Sequence, residues 1–354
     1  MSFQNKKNFW FVTAVIVIAL IVGTSSLLFS QTPMDPPSKG VKKEYPRFGL
    51  PQKEASLAEG KKVYETYCAG CHGITGDGKG PAAAALNPKP RNFQTAEFRF
   101  RSTPSGELPT DEDLYRTITE GLKGSSMPAW NLLSESDRKS VIAYIKHFAA
   151  DQWKDGHGAV TVIAEDPYGE SRREEAIKRG EIAYHGMAQC YSCHAAYIEP
   201  KAINKAREEY KMPALKAFRA DLAKAKSMTT SDGSLIYPPD FTWDKLKRGV
   251  ESRTLYHIVG NGISGTPMPT WKGILPEEDL WGIVYYVQSL AGKRSALVTD
   301  EDIAAHEKRI ADMENARIQF EAEMKNAVPA VAADVKAASA VATEPVTVKE
   351  TPSV

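Results

Sequence analysis

Cys68-Ala69-Gly70-Cys71-His72 is the stretch on which this chain turns. Two cysteines three apart on a short helical turn can reach both vinyl groups of one porphyrin. A histidine directly after the second cysteine then swings under the iron as its proximal ligand. The pattern recurs at Cys190-Tyr191-Ser192-Cys193-His194, and the two motifs use all 4 cysteines of the chain. Two other readings compete. A Cys-x-x-Cys pair can be a thioredoxin-like redox site, and two pairs together can hold one zinc ion. Both pairs here are followed by histidine, although the chain has only 7 histidines in 354 residues. Chance would supply one such histidine about once in 50 and two about once in 2,500, which favours haem attachment at both motifs.

Length and composition set the outer bounds. A chain of 354 residues has room for two small domains and extensions. A hydrophobic fraction of 42% and a charged fraction of 25% fit a globular protein. A net charge of +1 carries no nucleic-acid signature. Disulfides say nothing about redox compartment when every cysteine is committed to haem. The haem motif itself implies export, because thioether attachment takes place outside the cytoplasm in bacteria.

Outward from the first motif, Phe9 to Phe29 is an apolar run long enough to span a bilayer. Lys6 and Lys7 precede it and favour a cytoplasmic N-terminus. A cleaved signal peptide is the alternative, but no A-x-A-like site follows the run. Residues 1–30 therefore read as an anchor, and the Pro-, Lys- and Gly-rich residues 31–52 as a linker. An amphipathic helix over Lys53 to Tyr67 enters the first motif. The glycine-rich Gly73 to Gly80 lacks the elements of a phosphate loop and suits a chain wrapping closely around a flat porphyrin. Helices are expected over Asp111 to Leu122, capped by Thr110 and Asp113, and over Ser134 to Ala150, capped by Ser134 and Asp137. The second has Val141, Ile142, Ile145 and Phe148 at helical spacing.

Residues 151–173 read as a second linker, after which the pattern repeats. Gly60-Lys-Lys-Val-Tyr64 matches Gly180-Glu-Ile-Ala-Tyr184. Leu114-Tyr115 and Gly121 match Leu255-Tyr256 and Gly262. Met127-Pro128-Ala129-Trp130 matches Met268-Pro269-Thr270-Trp271, and Tyr144 matches Tyr286. The offset grows from 122 at the cysteines to 141 at the methionines. The second copy thus carries a net insertion of 19 residues, placed within Tyr197 to Ser234. Beyond Ser295 the chain is charged and helical over 296–327, and residues 328–354 read as a disordered tail.

These motifs resemble class I c-type cytochromes in two tandem copies, over residues 53–150 and 174–295. The resemblance implies an all-α fold, each copy wrapping one covalently bound haem. It also implies His72 and Met127 as axial ligands at the first site, with Cys68 and Cys71 in thioether linkage. His194 and Met268, with Cys190 and Cys193, are implied at the second. A lone methionine is most often core filler, but Met127 and Met268 sit at matching places in both repeats. The family's proline whose carbonyl accepts from the proximal histidine matches Pro81, with Pro238 or Pro239 as candidates in the second copy. Glycine and aromatic residues where first and last helices cross match Gly60 with Tyr144 and Gly180 with Tyr286. His257 stands where the first copy has Arg116 and is a weaker candidate ligand. His147, His157, His185 and His306 read as ordinary residues.

The stretch from Pro88 to Trp130 looks like bacterial membrane-associated respiratory cytochromes c. The expected function is one-electron relay at the periplasmic face of the cytoplasmic membrane. Partners would be a quinol-oxidising complex, a haem–copper terminal oxidase or a periplasmic dehydrogenase, either as a free carrier or as a dedicated subunit. A di-haem peroxidase is the alternative, and two intact methionine motifs argue against it. Residues 201–226 hold eight Lys or Arg and three Asp or Glu. They read either as a solvated helix surface broken at Pro213 or as a basic patch that steers an acidic partner.

Overall fold

The computed structural model describes residues 57–291 and 298–341, with side chains described to 326. The apolar run at 9–29, the linker at 31–52, the first turn expected at 53–56 and residues 342–354 lie outside the described residues. Among the described residues no helix is long and apolar enough to cross a membrane.

Among the described residues the architecture is helical, with one two-stranded ribbon. The helices are α1 (Leu57–Tyr67), α2 (Ala69–His72), α3 (Asp111–Glu120), α4 (Glu135–His147), α5 (Arg173–His185), α6 (Pro200–Glu209), α7 (Ser252–Asn261), α8 (Glu277–Ala291) and α9 (Asp300–Val341). Strands β1 (Met228–Thr229) and β2 (Leu235–Ile236) pair antiparallel between α6 and α7.

Each repeat is built on one close helix crossing, α1 on α4 and α5 on α8. Glycine makes that approach possible. A Cβ on Gly60 would lie 2.1 Å from the Ser140 carbonyl oxygen and 3.0 Å from the Tyr144 Cβ. A Cβ on Gly180 would lie 1.9 Å from the Gly282 carbonyl oxygen and 2.8 Å from the Tyr286 Cβ. Beside each crossing stands a tyrosine pair, Tyr64 with Tyr144 (ring centroids 5.4 Å apart) and Tyr184 with Tyr286 (5.6 Å). The first core gathers Val63, Tyr64, Phe93, Phe98, Leu114, Ile118, Val141, Ile142 and Ile145. The second is larger, because α8 is buried on nearly every face, from Asp279 to Val287. A helix that is apolar all round is one that neighbours must enclose.

Helix starts follow the capping residues. Thr110 and Asp113 close a capping box at α3, and the Ser134 side chain accepts from the Asp137 N–H at α4. The expected helix ends at Leu122 and Ala150 shorten by a turn or less, because Gly121 adopts φ +64° and Phe148 caps α4.

Three expectations are corrected. Residues 151–173 are more than a spacer. Thr161 N–H donates to the Ser102 carbonyl, and its hydroxyl donates to the Asn261 side chain. Trp281 donates to the Ala164 carbonyl, and Tyr285 to Asp166. The segment is a strap bonded to both repeats, since an extended chain lying in a groove must place its backbone polar groups somewhere. The last helix also does not stop at residue 327 but continues to Val341, through an alanine-rich stretch of high helix propensity. Finally, the inserted helix ends at Glu209, before Pro213, with Lys211 at φ +55°.

Candidate functional site

Both pentapeptides form tight turns with matching hydrogen bonds. His72 N–H donates to the Cys68 carbonyl (2.9 Å) and His194 N–H to the Cys190 carbonyl (2.8 Å). A buried tyrosine braces each turn from behind. Tyr64 hydroxyl donates to the Gly73 carbonyl (2.7 Å), and Tyr184 hydroxyl to the Ala195 carbonyl (2.8 Å). The four thiols are free. Burial, with Cys71 adding to it, pushes the Cys68 thiol up to about 12. Burial, with Cys193 adding, does the same for Cys190. A thioredoxin-like pair needs the opposite shift, because the thiolate is the nucleophile. Nor do the pairs meet around a shared ion, since no three His, Cys, Asp or Glu among the described residues gather into a metal-binding group.

Each motif histidine commits one ring nitrogen to the backbone. His72 Nδ1 lies 3.0 Å from the Arg91 carbonyl oxygen, and His194 Nδ1 lies 3.1 Å from that of Pro239. Such a bond fixes the tautomer and leaves Nε2 available as a ligand atom. Burial holds both imidazoles below their ordinary range, which favours the neutral form that a metal ligand requires. The acceptor in the second copy is one of the two expected prolines, Pro239. In the first copy it is Arg91, not Pro81. Residues around Pro81 fold back on the cysteine turn instead, with Gly80 N–H on the Cys71 carbonyl and Ala82 N–H on that of Gly70. The signal was present in the sequence as Pro90-Arg-Asn-Phe93 against Pro238-Pro-Asp-Phe241. The phenylalanine of each tetrapeptide stacks on the motif histidine, Phe93 on His72 (4.5 Å) and Phe241 on His194 (4.8 Å).

The methionine loops also agree bond for bond. Leu122 N–H donates to the Met127 carbonyl (3.0 Å), and Ile263 N–H to the Met268 carbonyl (3.3 Å). Met127 N–H donates to the Ser125 hydroxyl and Met268 N–H to the Thr266 hydroxyl, both at 3.2 Å. Gly121 and Gly262 turn each chain at φ +64° and +67°. A Cβ on either would lie within 2.8 Å of the Met-Pro backbone. Both methionines are half-buried and packed against their repeat's core.

Arg219, Asp240 and Arg99 were not singled out from the sequence, whereas His257 and His185 were named there. Arg219, in the insertion, donates to the carbonyls of Tyr191 and His194 and so clamps the second cysteine turn. Asp240, between Pro239 and Phe241, is nearly buried and bonds Tyr197, Thr242 and Arg309. Arg99 follows Phe98, which stacks on Phe93, and its Nε is buried without a partner. His257 lies at the meeting of the repeats, where Arg116 donates to Thr254 one turn away; its Nδ1 has no partner. His185 is a core residue, with Nδ1 at the Glu181 carbonyl and Nε2 accepting from Tyr197 N–H.

The donor set suits a c-type haem. Each repeat offers two thiols, an imidazole with Nε2 uncommitted, a loop thioether, and a stacked aromatic ring. Arg99, half-buried and with its Nε unpartnered, adds a cation of the charge that a porphyrin carboxylate requires.

Among solved structures, a chain of the Kuenenia stuttgartiensis reducing HAO-like protein complex Kustc0457/Kustc0458 is 32% identical, with a TM-score of 0.54. The match covers 66% of this chain and 95% of that one. No curated protein matches. The model of the family described as cytochrome c oxidase, cbb3-type, subunit III matches twice, over residues 55–145 and 175–287. Those two segments hold both cysteine turns, both histidine-carbonyl bonds and both methionine loops, and the chain belongs to this family of c-type cytochromes, with its domain in tandem.

Proposed function

We propose that this chain relays single electrons between redox proteins through two covalently bound haems, one in each repeat. Cys68, Cys71, His72 and Met127 would hold the first, and Cys190, Cys193, His194 and Met268 the second. The observation that carries this reading is the agreement of the two sites, from histidine-carbonyl bond to methionine loop. Bound in this way, haem supplies Fe(III)/Fe(II) cycling, at a potential that thioether ligation raises.

The protein's own residues do the positioning. Arg91 and Pro239 carbonyls hold each imidazole's Nδ1, and Phe93 and Phe241 fix the ring planes. Gly121 and Gly262 let the methionine loops close back on themselves. Two complete histidine–methionine sites would leave no iron position open to substrate, which supports relay over the peroxidase alternative. Residues 9–29 would anchor the chain in the cytoplasmic membrane, with the repeats on the periplasmic side. The family's description and the neighbour's title both name multi-component redox proteins. They support a dedicated subunit of a larger oxidoreductase, and its redox partners would be a quinol-oxidising complex, a terminal oxidase or a periplasmic dehydrogenase.

Denaturing mass spectrometry of the holoprotein tests the core of this reading. It should show two haem additions, and a redox titration two one-electron couples. Cys190→Ala should remove one addition and leave the other. A single addition in the wild-type protein, or rapid peroxide turnover, would sink it.

A further inference from the structure

The two sites differ in charge at the residue that follows the histidine's carbonyl partner. In the first repeat Asn92 follows the carbonyl that holds His72. In the second, Asp240 follows the carbonyl that holds His194. That carboxylate is nearly buried and accepts from the Tyr197 and Thr242 hydroxyls, while the Asp240 N–H donates to the Asp244 carboxylate. Its cation comes from far along the chain. Arg309, on α9, places Nη2 2.6 Å from Asp240 Oδ2, and the pair is largely sheltered, with side chains 24% and 11% exposed.

The helix that delivers Arg309 is held on both sides of it. His306 stacks on Trp243 at 4.4 Å. Met313 and Phe320 are buried in the second core, and Phe320 meets Phe218 edge-on at 5.5 Å. Arg309 also lies over the Tyr197 ring, whose hydroxyl accepts from Phe241 N–H, the residue stacked on His194. Helix α9 packs on the second repeat's α6 and has no packed counterpart in the first repeat among the described residues.

We propose that the last helix sets the reduction potential of the second haem site, through Arg309 held against Asp240. The proposal rests on His194 as an iron ligand, as argued above. A buried carboxylate one residue from the ligand's carbonyl partner favours the ferric state. Charges in sheltered surroundings act strongly because solvent screens them little. Arg309 cancels that bias while α9 is docked. Arg309 is thus a positioning residue, and undocking the helix would shift one site's potential and spare the other's.

Spectroelectrochemical titration of the full holoprotein at pH 8 tests this. Arg309→Ala should displace the second couple towards the ferric state by about tenfold in equilibrium, about 59 mV for one electron. Asp240→Asn should displace it the opposite way. The double variant should return close to wild type, because the net charge is restored, and Arg309→Lys should keep most of the wild-type value. The first couple should stay fixed throughout. Two intact couples with the second unmoved in Arg309→Ala would overturn the proposal, as would both couples moving together. Absence of two couples in the wild type would instead count against the haem assignment itself.

Discussion

His185 shows how a single side chain writes pH into the stability of this protein. It is fully buried, and burial lowers its pKa to about 4. The folded chain therefore keeps the imidazole neutral where the unfolded chain, near 6.5, already binds a proton. Stability from this residue is complete above pH 6.5 and is lost as pH falls from there towards 4. The loss should reach about 3 kcal/mol at the lower end, by the conversion of pKa shift to free energy. Denaturant unfolding of the holoprotein at pH 7 and pH 5 should reveal the slope. His185→Asn, weaker overall, should flatten it. Residues like this were legible only in part. The cysteines, histidines and methionines of the sites stand out because the covalent and ligand chemistry proposed for them would fix their spacing locally. The Arg91 carbonyl escaped because Pro81 offered a closer proline, and a carbonyl acceptor has no residue identity of its own. Arg309 escaped because its partner is 69 positions away and ion pairs leave no local pattern.

Helix pairs set the next scale, and both repeats depend on the same device. At α5 and α8, glycine faces glycine, and a Cβ on Gly180 would meet the Gly282 carbonyl oxygen at 1.9 Å and its carbon at 2.3 Å. Backbone cannot yield as a flexible side chain does. Gly180→Ala should therefore force the helices apart and cost at least the roughly 1–3 kcal/mol typical of overpacking. Thermal unfolding of the holoprotein measures it. A midpoint within error of wild type would contradict the crossing described here. The glycine and tyrosine repeats announced this contact in the sequence, and the caps at Thr110 and Ser134 announced where helices begin. The strap within residues 151–173 was not legible, because a segment bonded at scattered backbone and side-chain groups has no apolar period. The reach of α9 was hidden too, since an alanine-rich sequence serves a helix and a structureless tail equally well.

Across the whole molecule, charge is distributed unevenly. The insertion's excess of cations is partly spent on structure. Arg207 bonds Gln189 and the Pro213 carbonyl, Arg219 clamps the second cysteine turn, and Lys201 and Lys224 pair with Glu323 and Asp221. Lys205, Lys211, Lys216 and Lys224 are exposed. Reversing these four to glutamate should slow oxidation of the reduced protein by anionic ferricyanide at low ionic strength. The difference should fade as salt rises, because screening reaches only about 10 Å at 0.1 M. Equal rates at low salt would leave the patch without a steering role.

The repeats also lean on one another. Lys123 N–H, in the approach to Met127, donates to the Lys247 carbonyl, and Gly106 N–H reaches the Ser264 hydroxyl in the loop that precedes Met268. Arg101 donates to the Asn261 carbonyl across the same boundary. A duplication ordinarily yields two copies, either of which can be lost. Here each copy has become part of the other's scaffold. Deleting one would strip hydrogen-bond partners from the methionine loop of the survivor, so this chain cannot be halved without cost to the half that remains.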